Sequence, residues 1–149
     1  NNYFDSVFSS EVFEHVFDLD KILREINRVC KTDGNILLTV PFVWNEHEIP
    51  YDYGRYTSFG LKYILEKNGF EIIEYSKTTN YIETLFQMWN TYVFQCVLRK
   101  KIIQSIATPI LIGPITILGI ILSKILPKDT SLFLNNIVVA KKIKNISSQ

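Results

Sequence analysis

The 149-residue sequence holds only two cysteines, two histidines and six glycines, and each shortage narrows what the chain can be. Cys30 and Cys96 sit in separate apolar, helix-like stretches without a CxxC pair, so neither a disulfide framework nor a thiolate metal site is expected. They read as buried, reduced thiols of an intracellular, cytoplasmic protein. His15 and His47 lie far apart in the sequence, and no metal ligand set is expected from them. The glycines stand at 34, 54, 60, 69, 113 and 119 and never gather into a loop of the GxGxG kind. No backbone cradle of that type can therefore be read here. A net charge of +1, from 16 basic and 15 acidic residues, leaves no basic field for a phosphate backbone and argues against nucleic acid as a partner. No signal-like segment opens the sequence.

What is present centres on Asn35 to Phe42. This short apolar run, opened by Asp33-Gly34 and stopped by Pro41, reads as a buried strand covered on both faces. Before it, Tyr3 to Ser10 reads as a strand and Glu11 to Val16 as a turn or short helix. Asp18 is a good N-cap for a helix whose Leu19, Ile22, Leu23, Ile26 and Val29 recur at helical spacing. Asp33-Gly34 is expected to end that helix, giving a β-α-β crossover. After a polar and aromatic loop, Val43 to Thr57, either Thr57 or Ser58 can cap a second helix. Its buried side is Leu61, Ile64 and Leu65, and Asn68-Gly69 supplies a left-handed stop. Phe70 to Tyr75 reads as a third strand, and Asn136 to Ala140 as a last one before a polar tail.

Between those strands the pattern changes. Tyr81 to Leu98 is apolar and aromatic, Arg99-Lys100-Lys101 is basic, and residues 102–123 carry no charge at all. Pro109, Gly113, Pro114 and Gly119 interrupt that run. Its length suffices to span a bilayer. A strand that belongs to the sheet follows it closely, which favours a broken helical hairpin covering the site or lying on a membrane surface. The expected organisation is 1–80, 81–130 as a hydrophobic helical insertion, and 131–149.

Phe4-Asp5-Ser6-Val7, Ser9 to Val16, Ile22 to Val29, Lys31 to Gly34 and Ile36 to Phe42 together resemble the fourth strand through the fifth strand of class I S-adenosylmethionine-dependent methyltransferases. The segment Glu46 to Thr57 is similar to a loop of the methyltransferase type 11-like subset, and Asn136 to Lys142 to the family's final antiparallel strand. The resemblance implies an α/β fold, the second half of a doubly wound, Rossmann-like sheet, with the insertion before its last strand. It also implies that the Gly-rich cofactor loop lies upstream of Asn1, so that the chain alone binds cofactor weakly and leaves an edge of its first strand unpaired.

Ligands of open α/β sheets bind beyond the carboxyl ends of the strands. The resemblance places Ser9, Ser10 and Glu11 beside the methionine part of S-adenosyl-L-methionine, although they would also serve as a plain strand-to-helix cap; His15, counted with them toward the cofactor, could face the site as a base or hydrogen-bond donor or be a satisfied histidine against the sheet. In the loop, His47 has the titration range of a general base, with Glu46 and Glu48 beside it to favour its protonated form. Arg55 could bind an anionic acceptor group, with Tyr51, Tyr53 and Tyr56 as a stacking wall. The structural alternative is an Asp52–Arg55 pair inside the loop. The expected catalytic set is His47, Glu48, Arg55 and Tyr51, and Glu14 is expected to be solvated. The acceptor is a small or lipid-linked molecule, with peripheral membrane contact through 102–126 at the inner face of a membrane. Rival readings are a non-enzymatic membrane-associated module and a nicotinamide-dependent enzyme.

Overall fold

The computed structural model describes residues 1–98 and 100–146; Arg99 of the basic cluster and residues 147–149 of the polar tail lie outside the described residues. The chain divides into two compact units, Asn1–Thr78 with Leu134–Gln149, and Thr79–Phe133.

The first unit is a four-stranded sheet of β1 (Phe4–Ser10), β2 (Cys30–Pro41), β3 (Phe70–Lys77) and β4 (Asn135–Lys142), in the spatial order β1-β2-β4-β3. β1 and β2 are parallel, and β4 runs antiparallel to both β2 and β3. Helix α1 (Leu19–Val29) starts where Asp18 accepts a hydrogen bond from the Lys21 amide at 2.9 Å. Helix α2 (Ser58–Lys67) starts at Thr57, whose hydroxyl accepts from the Gly60 amide at 3.1 Å. Gly69, at φ +81°, ends the chain's exit from α2, as Asn68-Gly69 led us to expect.

Three details depart from the sequence reading. The turn at Asp33-Gly34 lies inside β2 and does not close α1. The strand begins at Cys30, and the register slips from Phe4↔Cys30 to Ser6↔Asn35, with Asp33 at φ +65°. Gly34 is required there because a Cβ would sit 2.7 Å from the Cys30 sulfur and 2.9 Å from the Asp5 carbonyl. Second, β2 is covered on one face only. Leu23 of α1 and Leu61 and Leu65 of α2 pack with Ile36, Leu38 and Val40 in one core, whereas Leu37, on the opposite face, is 38% exposed. Both helices serve the same face, so the run is alternating in burial although it is continuous in hydrophobicity. Third, of the two thiols only Cys30 is buried; Cys96 is exposed. β1 pairs with β2 alone and forms a sheet edge.

The second unit is helical: α3 (Tyr81–Tyr92), α4 (Lys101–Ala107) and α5 (Gly113–Ile125). A reciprocal capping box between Asn80 and Glu83 opens α3. The uncharged run does not break. Lys101–Ile125 is one 25-residue helical stretch, long and apolar enough to cross a membrane by length and composition, and 6% of its most apolar window is buried. A π-helical segment, Thr108–Ile112, joins α4 to α5 and holds Pro109 within it. Widening one turn removes the need for the amide that proline lacks, so the prolines mark a local distortion and no chain reversal.

The return arm is α3, and its packing on α5 is unusual. Ser123 donates to Glu83 at 3.0 Å and the Asn90 side-chain amide donates to Thr116 at 2.9 Å. Between these bonds, a Cβ on Gly119 would meet Phe86 at 2.7 Å. Polar and small residues thus face inward, while Ile117, Leu118, Ile121 and Ile125 of α5 and Leu85 and Trp89 of α3 are exposed.

One-sided burial of the sheet has a direct consequence. Leu38→Ala should lower the free energy of unfolding of this chain by about 2–5 kcal/mol, whereas Leu37→Ala should cost under about 1 kcal/mol. Urea denaturation followed by circular dichroism measures both; equal losses would contradict the single covered face.

Candidate functional site

The carboxyl ends of β1 and β2 meet the start of β4 in a polar cluster. Ser10 Oγ and Thr39 Oγ1 lie 2.8 Å apart, Thr39 donates to Glu11 Oε1 at 2.7 Å, and the Asn135 side-chain amide donates to the same oxygen at 3.3 Å. Glu11 is in the left-handed region at φ +51°, with its amide on the Thr39 carbonyl at 3.0 Å. Ser9, Ser10 and Glu11 therefore stand where the sequence put them, at a strand end. Thr39 and Asn135, which complete the network, were not singled out because nothing in a strand's own pattern tells which residue of another strand it will meet.

A single 3-10 turn, Phe13–His15, follows. Phe13 joins the core and Glu14 is fully buried, against the expectation of a solvated carboxylate. The loop causes this: the amides of Tyr53 and Gly54 donate to the Glu14 carbonyl at 2.7 and 3.2 Å and lay the chain over the turn. Neither carboxylate oxygen of Glu14 has a hydrogen-bond partner. Burial pushes its carboxyl above the usual carboxylate range.

Arg55 organises the loop. Its Nη1 donates to Asp52 Oδ1 at 2.6 Å and to the Gly54 carbonyl at 2.8 Å. Its Nη2 donates to Asp52 Oδ2 at 2.7 Å and to the Asn45 carbonyl at 3.0 Å, and Nε reaches the Trp44 carbonyl at 3.4 Å. A guanidinium has five N–H groups, and all five are engaged. The structural alternative for Arg55 is thus the one present: it holds the loop, and none of its donors is left for an anionic acceptor. The Arg55 fork holds the Asp52 carboxyl far below the usual carboxylate range and is itself made more basic by it.

The folded loop brings His47 to His15. Their rings meet edge to face with centroids 4.8 Å apart. His15 Nδ1 contacts the Tyr51 carbonyl at 2.7 Å, so it carries a proton and leaves Nε2 as the ring's lone pair. His47 Nδ1 lies 3.3 Å from the Asn45 carbonyl and 3.3 Å from Asp52 Oδ2. Arg55 Nη2 lies 3.4 Å from the same Nδ1 but has both N–H groups on shorter contacts, so the two oxygen acceptors favour Nδ1 as the donor and Nε2 as the lone pair. The acidic neighbour of His47 is Asp52; Glu48 instead lies 3.8 Å from His15 Nε2, as does Glu14. Glu14, His15 and His47 each present a ligand-type atom, all within 4.8 Å of one another. Separation in sequence had argued against any such group, and the fold removes that separation.

Of the tyrosines, Tyr51 and Tyr53 are exposed and Tyr56 packs against the core. They form no continuous wall: Tyr53 meets Phe17 edge to face at 5.5 Å, and burial raises the Tyr56 phenol above its ordinary value. A surface groove of about 540 Å³ lies between α2 and β3, lined by residues such as Phe59, Lys62 and Tyr75, and includes none of the expected catalytic or cofactor-binding residues. The glycines offer no cofactor cradle either. A Cβ at Gly34, Gly54, Gly69 or Gly119 would strike the protein's own atoms, so these positions serve internal packing.

The family model described as Methyltransferase domain matches residues 1–38. No curated protein matches the chain. Among solved structures, phosphoethanolamine N-methyltransferase 2 of Haemonchus contortus in complex with S-adenosyl-L-methionine is similar with a TM-score of 0.53 and 21% identity, over 96% of this chain and 34% of that chain. A SAM-dependent methyltransferase from Archaeoglobus fulgidus gives a TM-score of 0.50 and 20% identity, over 95% of this chain and 60% of that one. The cyclase SpnF gives a TM-score of 0.55 and 17% identity, over 95% and 50%. The chain thus spans 34% to 60% of the length of these proteins. At such identities the likeness shows the fold alone, the Rossmann-like α/β arrangement that these proteins share, and the cyclase marks that this fold also carries other chemistry.

Replacing the fork tests the loop. Arg55→Lys keeps the charge but loses the paired, planar contact, and should cost about 1–3 kcal/mol in stability while exposing residues 43–57 to faster amide exchange. Unchanged exchange there would show that the pair does not hold the loop.

Proposed function

We propose that this Rossmann-like chain is the acceptor-facing portion of a class I S-adenosylmethionine-dependent methyltransferase. The observation that carries the reading is the Ser10–Thr39–Glu11–Asn135 cluster at the carboxyl ends of β1 and β2, together with the paired rings of His15 and His47, which stand on the turn after β1 and the loop after β2. S-adenosyl-L-methionine, when bound, supplies an electrophilic methyl group on a sulfonium.

Ser9, Ser10 and Glu11 offer the short hydroxyls and the carboxylate suited to the amino and carboxylate groups at the methionine end, with His15 beside them. The glycines of this chain are all accounted for by its own packing or caps, or stand clear of the site, so the ribose and adenine end would be held by residues outside it. His47 is the group for taking a proton from the acceptor, with the Asp52 carboxylate at 3.3 Å from Nδ1 to orient the ring. Glu48 and Tyr51, both exposed, would contact the acceptor in this reading. Arg55 acts through the loop it holds.

The second unit adds a lipid-facing element to this reading. Apolar side chains point outward from α5 while its polar and small residues face α3, the reverse of a water-facing helix pair and the usual arrangement between helices in lipid. Lys100, Lys101, Lys124 and Lys128 flank the apolar stretch. A protein lying at the cytoplasmic face of a membrane through residues 102–126, and acting on a small or lipid-linked acceptor, fits these features.

Two experiments separate the parts. Calorimetry with S-adenosylhomocysteine should give binding in a version extended upstream and at least tenfold weaker binding in this chain; no binding in either would overturn the methyltransferase reading. Flotation with phosphatidylglycerol-containing vesicles should carry the chain upward, and Ile117→Glu with Ile121→Glu should abolish it. Wild-type protein that stays at the bottom would remove the membrane element and leave the catalytic reading standing.

A further inference from the structure

We propose that Glu14, His15 and His47 form a binding site for a single divalent transition metal ion of the zinc class. Two independent observations meet there. The first is the ligand geometry: a carboxylate oxygen and two imidazole nitrogens lie within 4.8 Å of one another, with Glu14 Oε1 and His15 Nε2 at 3.8 Å. The second is Glu14 itself, completely buried with both oxygens unpartnered. A buried carboxylate without hydrogen bonds is costly unless a cation or a proton compensates it.

The outer contacts have the form that ligating histidines require. His15 gives its Nδ1 proton to the Tyr51 carbonyl, and His47 directs Nδ1 to the Asn45 carbonyl and the Asp52 carboxylate. The His15 ring is thereby held in the tautomer that leaves Nε2 free, and His47 turns Nδ1 toward the loop's own acceptors and Arg55, which leaves its Nε2 for an ion. Two neutral imidazoles and one carboxylate suit zinc, cobalt or nickel and do not suit magnesium or calcium, which take oxygen ligands. Ligand bonds of about 2.1 Å at tetrahedral angles place two donors on one ion about 3.4 Å apart, so the widest pair must close by roughly 1.4 Å. The His47 side chain, 31% exposed and carried on a loop, can make that adjustment. Glu48, 3.8 Å from His15 on the solvent side, is available as a fourth ligand or leaves that position open.

The site draws on the lone pair of His47 that proton transfer would use, so metal and free base are alternative occupants. The inference stands apart from the methyl-transfer reading, because it concerns binding to this chain without any cofactor.

The test is titration of the chain with Co²⁺, followed by ligand-field absorption and by proton NMR. Expected are one equivalent bound, displacement by Zn²⁺, and paramagnetically shifted ring protons from both histidines, which are the only two in the sequence. His47→Ala and the near-isosteric Glu14→Gln should each weaken binding more than tenfold, and Asp52→Asn about 10- to 100-fold. Absence of a cobalt spectrum in the wild type overturns the proposal. So does binding that leaves the ring protons of His15 and His47 unshifted, a readout that holds even if a variant fails to fold. A loss of cobalt binding with intact S-adenosylhomocysteine binding in the extended protein would reject the metal and retain the methyltransferase.

Discussion

The bidentate contact between Arg55 and Asp52 is the constraint on which the site depends. The loop of residues 43–57 has no secondary structure through most of its length, and its ordering must offset a sizeable loss of backbone entropy. One guanidinium meets that demand by placing all five N–H groups on a carboxylate and on the carbonyls of Trp44, Asn45 and Gly54. The consequences spread outward. Asp52 is held ionised and can orient His47. The chain around Tyr53 and Gly54 is drawn over the 3-10 turn, which buries Glu14, and the Tyr51 carbonyl is set against His15. A charged pair that looks like a surface feature in the sequence is therefore what gathers residues from two segments into one place.

The two units follow opposite packing rules. In the sheet unit, apolar side chains of α1 and α2 meet alternate residues of the strands in one core. In the helical unit, the contact between α3 and α5 is made by Glu83, Asn90, Thr116, Gly119 and Ser123, and the isoleucines face outward. Burial of apolar area explains the first but not the second. Interhelical hydrogen bonds and close approach at glycine explain the second, and they hold helices together best where water is scarce.

Local signals in the sequence were read well. Asp18, Thr57 and Asn68-Gly69 mark helix ends through short-range chemistry, and each does so in the structure. The strands and the antiparallel last strand were legible from composition and from the family resemblance. What could not be read depends on distant contacts. Gly34 looks like a turn glycine, but its need arises from the Cys30 sulfur and the Asp5 carbonyl of a neighbouring strand. Leu37 and Leu38 are alike in the sequence, and only the placement of two helices on one face tells them apart. Glu14 has the ordinary look of a carboxylate at the start of a helix until a loop 40 residues later covers it. The prolines of the uncharged run suggested a break, and a π-helical segment absorbs one of them instead.

The most direct test of this account is the distance between the two histidine rings. Nuclear Overhauser contacts between His15 and His47 ring protons should be present in the wild-type chain, as centroids 4.8 Å apart require, and should fade in Asp52→Asn while the core signals of Leu38 and Val138 persist. Absence of those contacts, with both rings behaving as independent solvent-exposed imidazoles, would contradict the assembled site and every function drawn from it.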